Sequence, residues 1–166
     1  MPPRWQVEPY ANQPGRETFA CGNAVLDRYL RELAGQQARR NIASLVVALD
    51  AGSGRISGFY TLSSYAVSSA DLPSSSQRGF PRVVPATLLG RLAVDRNFQG
   101  LGMGAALLSH AVARAVSASE LVASAVIVVD AIDEDAAGFY ARYGFASFRE
   151  QPLRLFIPVR SALAYA

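Results

Sequence analysis

A loop of spaced glycines set between two apolar strands limits this chain more than any other stretch. "TLLGRLAV" reads as a strand, "DRNFQGLGMG" follows it, and helical spacing of apolar residues then runs from about Met103 to Val116. "ASAVIVVDA" returns as a buried strand. A helix between two strands of one sheet is a crossover, so these strands are expected to be parallel. Gly100, Gly102 and Gly104 let the backbone bend sharply and approach a ligand with no side chain in the way. The helix behind them turns unpaired N–H groups and the positive end of its dipole on the loop. A diphosphate is the natural guest.

The rest of the chain fits a mixed α/β domain. "NAVLDRYLRELAGQQARR" places Leu26, Tyr29, Leu30 and Leu33 at helical spacing behind Asn23 as N-cap, with Arg28, Arg31 and Glu32 elsewhere around the helix. "SLVVALD" and "RISGFYTLSSYAV" read as strands joined by the turn "DAGSG". A Ser- and Pro-rich excursion follows over residues 68–86, of the kind that often serves a binding site. "DEDAAGFYARYG" is a short helix with acidic residues in its first turn and Gly144 at its end, and "LRLFIPV" is a closing strand. The predicted architecture is one domain over residues 1–166, a mixed central sheet flanked by helices rather than an alternating Rossmann series.

Composition removes several function classes. A single cysteine, Cys21, excludes an internal disulfide framework and any multi-cysteine metal site. A single histidine, His110, leaves little from which to build a nucleophile triad or a zinc site. No apolar run reaches the roughly 18 residues that a membrane helix needs, and the start lacks a signal peptide's apolar core, so a cytoplasmic location is expected. All sixteen basic residues are arginine, and the net charge is +3. That mild excess alone is weak evidence for a polyanionic partner.

Two ligand classes suit the loop. "GLGMGA" fits the dinucleotide fingerprint GxGxxG/A, with Asp130 at the end of the next strand as a ribose ligand. "QGLGMG" fits the Q/R-x-x-G-x-G/A loop that holds the pyrophosphate of acetyl-CoA in GNAT acetyltransferases. A dinucleotide fold opens with its loop directly after the first strand. Here "DRNFQ" intervenes, the loop lies beyond mid-chain, and too few residues follow for a second nucleotide-binding half. "LGRLAVDRNFQGLGMGAALLSHA" and "VVDAIDEDAAGFYARYGF" together resemble the GNAT family over its cofactor-binding half. With "FACGNAVLDRYL" and "ISGFYTLSSYAV" added, the chain resembles the acetyltransferase toxins of bacterial type II toxin–antitoxin modules, the TacT/AtaT-like branch.

That resemblance implies an enzyme moving an acetyl group from acetyl-CoA to the α-amino group of aminoacyl-tRNA, which blocks translation. It implies a ribbon-helix-helix antitoxin as partner, and a homodimer is compatible with it. Other readings are acetylation of a small-molecule amine or protein N-terminus, and a non-catalytic module holding CoA or an antitoxin. By resemblance, the backbone of Leu92, Ala93 and Val94 grips the pantetheine arm, and the loop Gln99, Gly100, Leu101, Gly102, Met103 and Gly104 holds the pyrophosphate. Tyr140, in the family's "FY" motif, is the expected general acid toward the CoA sulfur. Ala136, Phe139, Tyr140 and Tyr143 share a helix face, where Phe139 and Tyr143 suit core or cofactor packing. Glu120, Asp130 and Asp133 are available as bases, yet a cap or a solvated position accounts for each. Such a substrate needs little base, because an α-amine titrates near pH 8 and the ester lowers it further. Arg28, Arg31, Arg39, Arg40, Arg78, Arg82 and Arg91 are candidates for tRNA phosphates. His110 stands where the family more often has an acidic residue, and it is expected on a solvated helix face with Arg114.

Overall fold

The computed structural model describes residues 4–165. Seven strands form one mixed sheet in the order β1-β2-β3-β4-β5-β7-β6. They are β1 (Trp5–Pro9), β2 (Ser44–Asp50), β3 (Ile56–Ser68), β4 (Val83–Val94), β5 (Val126–Asp130), β6 (Ala146–Phe148) and β7 (Gln151–Pro158). The helices are α1 (Ala24–Arg28), α2 (Ala34–Arg39), α3 (Met103–Ser119), α4 (Glu134–Ala141) and α5 (Val159–Ala162). Among the described residues no helix is long and apolar enough to cross a membrane. The chain divides into two compact units, residues 1–63 with 91–110 and residues 64–90 with 111–166.

In the first unit, β2 is antiparallel to both β1 and β3. A register shift between Ala48 and Leu49 leaves Ser57 as an extra residue on β3. The bulge resets the two-residue alternation, so that Ile56 and Phe59 both join one core with Leu45, Val47, Phe19, Leu26, Tyr29 and Leu30. Ser57 is buried, and its hydroxyl donates to the Ala48 carbonyl. Asn23 caps α1 as the sequence predicts, accepting from the Leu26 N–H at 3.1 Å. The helix does not continue regularly, however. A π turn, Tyr29–Leu33, separates α1 from α2 and closes on an Ala34 N–H to Tyr29 carbonyl bond. That wide turn rotates the phase of the apolar stripe. Leu33, predicted in the core, is 45% exposed, and Ala34 takes its place at 1%.

At Gly58, α3 lies close against β3. A Cβ there would stand 2.9 Å from Leu107 Cδ1, 3.0 Å from Met103 Sδ and 3.2 Å from the Ala93 carbonyl oxygen. The two side-chain ends can yield, but the carbonyl belongs to a strand. Gly58→Ala is therefore expected to lower stability by about 1–2 kcal/mol in denaturant unfolding, through overpacking. An unchanged midpoint would mean that α3 rides outward freely.

In the second unit, β4 and β5 are parallel, as the crossover requires. β5 is antiparallel to β7, which is antiparallel to β6. The first four residues of β5, "VIVV", are all buried, as suits a strand with neighbours on both sides and both faces covered. Val67, Leu72, Val84, Ala86, Val126, Val128, Phe148 and Phe156 make this unit's core. Residues 83–86, read from sequence as the end of the Ser/Pro-rich excursion, are the first turn-free residues of β4.

Candidate active site

The ladder between β4 and β5 covers only Ala86–Leu89 against Val126–Val129. β4 nevertheless runs on to Val94, so residues 90–94 continue without a β5 partner. A buried strand backbone must find hydrogen bonds somewhere, so this tail presents polar groups suited to an extended ligand. Leu92, Ala93 and Val94, the residues expected to hold the pantetheine arm, form its end.

The loop after β4 is braced from below. Asp95, only 9% exposed, accepts from the Asn97 N–H through Oδ1 at 2.9 Å and from the Ala20 N–H through Oδ2 at 3.1 Å. The Arg96 N–H donates to the Ala20 carbonyl at 2.9 Å. Gln99 Nε2 donates to both the Val94 and the Cys21 carbonyls at 2.8 Å. The side-chain amide of Gln99, expected at the pyrophosphate, is thus engaged in stapling the loop to β4 and to the segment ahead of α1. Sequence reasoning missed this brace. Its one local signal was Asp95 itself, which caps the short 3-10 turn Arg96–Phe98.

Above the brace, Gly100 and Gly102 have φ of 77° and 91°, and a Cβ built on either meets nothing within 4 Å. The backbone selects glycine, and the space beside it is open. Leu101 is exposed, Met103 is buried as an anchor and Gly104 is half-buried. The first bond of α3 runs from the Ala106 N–H to the Gly102 carbonyl. Amides ahead of it therefore lie outside the helical ladder and suit an anion. These residues fit the diphosphate of coenzyme A.

Cys21 offers no nucleophile. Burial, and next a hydrogen bond with Asp27, push its thiol up to about 11, so it stays protonated at neutral pH. His110 is not on a solvated face. Its Nδ1 and the hydroxyl of Tyr60, a residue with 0% exposure, lie 2.7 Å apart in a hydrogen bond. A polar group on fully buried Tyr60 needs such a partner, which explains a histidine at that position of α3.

Of the arginines expected to meet phosphates, Arg31, Arg39 and Arg40 are exposed in the first unit. Arg28 is also exposed but pairs with Glu32 at 2.7 Å. Arg91 is half-buried, its guanidinium 3.7 Å from the centroid of the Tyr29 ring. Arg78 and Arg82 are exposed in the second unit.

Within the second unit, Asp133 caps α4 by accepting from the Ala136 N–H at 2.8 Å, and Gly144 follows the helix with φ of 93°. Of the four residues on the shared face, Tyr140 alone is buried, at 5% exposure; Ala136, Phe139 and Tyr143 are half-buried. The Tyr140 ring meets Phe139 and Phe145 edge-on at 5.3 and 5.8 Å. Burial first, and then the charge of Asp130, raise its phenol well above the usual value. The phenol consequently stays protonated across the physiological range. Of the carboxylates considered as bases, Asp133 is a cap, Asp130 is paired with Arg154, and Glu120 is exposed.

Comparison with known proteins bears on the fold and the family. The model of the acetyltransferase (GNAT) domain matches residues 41–147. A tRNA-acetylating toxin of Mycobacterium tuberculosis is 37% identical over 148 residues, covering 89% of this chain and 87% of the relative. KacT, solved as a tyrosine-to-phenylalanine mutant, superposes with a TM-score of 0.92 at 29% identity, over 99% of this chain and all of KacT. AtaT complexed with acetyl-methionyl-tRNAfMet gives 0.88 at 31% identity, over 98% of this chain and 99% of AtaT. AtaT has also been solved with the C-terminus of the antitoxin AtaR and acetyl-CoA, at a TM-score of 0.83 and 27% identity over 98% of each chain. By the match to the domain model and the identity to a relative along most of its length, the chain belongs to the GNAT acetyltransferase family.

Proposed function

We propose that the chain acetylates the α-amino group of aminoacyl-tRNA with acetyl-CoA, acting in the cytoplasm as a toxin restrained by a ribbon-helix-helix antitoxin. The observation that carries the reading is the end of β4, beyond its ladder with β5, running directly into a glycine loop with open space at Gly100 and Gly102. The relatives that act on or bind tRNA point to the same acceptor.

In this reading Leu92, Ala93 and Val94 orient the pantetheine arm through their main chain, and a backbone N–H there steadies the carbonyl oxygen as charge develops on it. The amides of residues 100–104 hold the diphosphate, while Gln99 and Asp95 keep the loop in place. Acetyl-CoA, when bound, supplies an activated acetyl group and a sulfur leaving group. Tyr140 Oη gives its proton to that sulfur. Phe139 and Tyr143 flank the acid and pack beside the cofactor. No strong base is required, since the acceptor amine already has a neutral fraction near pH 7.

The test is incubation of the purified chain with labelled acetyl-CoA and charged tRNA. Label on the aminoacyl group of tRNA, absent from free amino acids and peptides, is the expected result. Label on small amines or peptides instead would favour a different GNAT acceptor. No transfer to any amine, with CoA still bound, would favour a binding module. Phosphate contact by the first unit predicts that Arg31→Gln weakens tRNA binding and flattens the slope of log affinity against log salt by about one. An unchanged slope would remove Arg31 from the interface.

A further inference from the structure

Arg91 lies on β4 past Leu89, the last residue of the ladder with β5, and directly before Leu92, Ala93 and Val94. Two residues on, Ala93 joins the core of the first unit with Tyr29 and Phe59, so Arg91 leaves the strand on that same face. Its guanidinium carbon stands 3.7 Å from the centre of the Tyr29 ring. A guanidinium set edge-on at that distance would drive its nitrogens into the ring, so the fork lies flat upon it. Tyr29 is itself held in place. It is 3% exposed, stacks with Phe59 at 6.3 Å and shares a hydrogen bond of 2.8 Å between its hydroxyl and Gln37 Oε1. The π turn of the helix begins at this residue.

A flat stack occupies the face of the guanidinium and leaves its edge. The N–H donors of arginine all lie in that plane, pointing outward. Among the described residues, those of Arg91 meet no acceptor and no carboxylate, whereas Arg28 has Glu32 and Arg154 has both Asp130 and Tyr65. Covering a tyrosine ring calls for no charge, and an apolar side chain would do it without desolvating a cation. A half-buried cation with a fixed plane and open donors is instead suited to an oxyanion that accepts two parallel hydrogen bonds. Carboxylate and phosphate both have that shape. The acceptor of the reaction decides between them: the carboxyl beside an aminoacyl-tRNA amine is esterified and uncharged, while a phosphodiester lies on the far side of the same terminal nucleoside.

We infer that Arg91, held flat on Tyr29, binds the phosphodiester nearest the aminoacyl ester and so makes the enzyme prefer an acceptor that carries this link. This deepens the reading of aminoacyl-tRNA as acceptor and rests on it. Arg91 is thereby a specificity-determining residue, distinct from the arginines spread over the exposed surface. Those can meet phosphates anywhere along the nucleic acid, whereas Arg91 adjoins the strand segment assigned to the pantetheine arm.

Two acceptors that differ by one phosphodiester provide the test. One is an aminoacyl-adenosine with an amide in place of its ester, and the other is the same compound extended at its 5′ oxygen by cytidine 3′-phosphate. The parent is expected to show a kcat/KM at least about tenfold higher for the extended acceptor, the worth of one charge-assisted contact. In Arg91→Gln that preference should shrink to within about twofold. The ratio cancels any general damage to folding or to acetyl-CoA binding, because both acceptors meet the same protein. Arg91→Lys serves where the glutamine variant does not fold; it keeps the charge but not the planar fork, and its preference is expected to fall by at least about threefold. A preference retained in the variant, with both acceptors slowed alike, overturns the inference and leaves Arg91 as a cover for Tyr29. A parent that acetylates charged tRNA yet shows no preference between the two analogues overturns it as well. A parent that acetylates neither charged tRNA nor either analogue overturns the aminoacyl-tRNA reading itself, so the two failures are distinct.

Discussion

Replacing Tyr140 with phenylalanine is expected to reduce the single-turnover rate of acetyl transfer by at least about a hundredfold, the lower end of what a positioned general acid contributes. The ring stays, so its edge-on contacts with Phe139 and Phe145 survive. Stability should accordingly change little, and acetyl-CoA affinity should be kept, which separates loss of a proton from loss of a fold. The phenol's elevated pKa fixes the sign of any pH effect. Burial and the Asp130 charge both favour the protonated form, so the donor is fully populated at neutral pH and deprotonates only far into the alkaline range. A change in rate between pH 6 and 9 must then come from another group, such as the acceptor amine, whose neutral fraction rises with pH. The parent rate is expected to climb through that window rather than to form a bell. A phenylalanine variant as fast as the parent would remove Tyr140 from the chemistry.

The parts of this molecule that were legible in the sequence are those whose reasons are local. Asn23 and Asp133 cap their helices, Gly144 takes a left-handed conformation after α4, and the buried "VIVV" of β5 announces a central strand. Spaced glycines before α3 identified the loop, because positive φ at Gly100 and Gly102 is a property of the residue itself. What stayed hidden depends on partners distant in sequence. β1 and β6 are the two edge strands of the sheet, short, and defined only by the neighbour they pair with. Pro9 at the end of β1 is tolerated because that strand is an edge. The π turn at Tyr29–Leu33 shifts Leu33 outward, and no simple 3.6-residue pattern encodes such a turn. His110 looked solvated because its partner, Tyr60, lies 50 residues away. The contacts of Arg154 and the bracing of the loop by Gln99, which the sequence placed at the pyrophosphate, escaped for the same reason: they are set by Asp130, Tyr65, Val94 and Cys21, which only the fold assembles.

Gly102 offers the sharpest test of the cofactor loop, because its conformation and its surroundings make separate demands. Its φ of 91° is one that L side chains rarely adopt, and a side chain there costs roughly 1–2 kcal/mol in strain. Apart from the glycine and its two chain neighbours, no protein atom lies within 4 Å of the added Cβ, however, so strain is the main intramolecular penalty at that atom. Anything further must come from a ligand that uses the open space. Gly102→Val is expected to weaken CoA binding by about a hundredfold in calorimetry, equivalent to about 2.7 kcal/mol of lost binding free energy. Gly54 supplies the control. It has φ of 70° and equally open surroundings, but sits in the turn between β2 and β3. Gly54→Val carries comparable backbone strain, so a similar loss of stability with CoA affinity preserved would isolate the contribution of the loop. Equal CoA affinities in the two variants would mean that the diphosphate lies elsewhere, since the strain they share cannot tell a cradle from an ordinary turn.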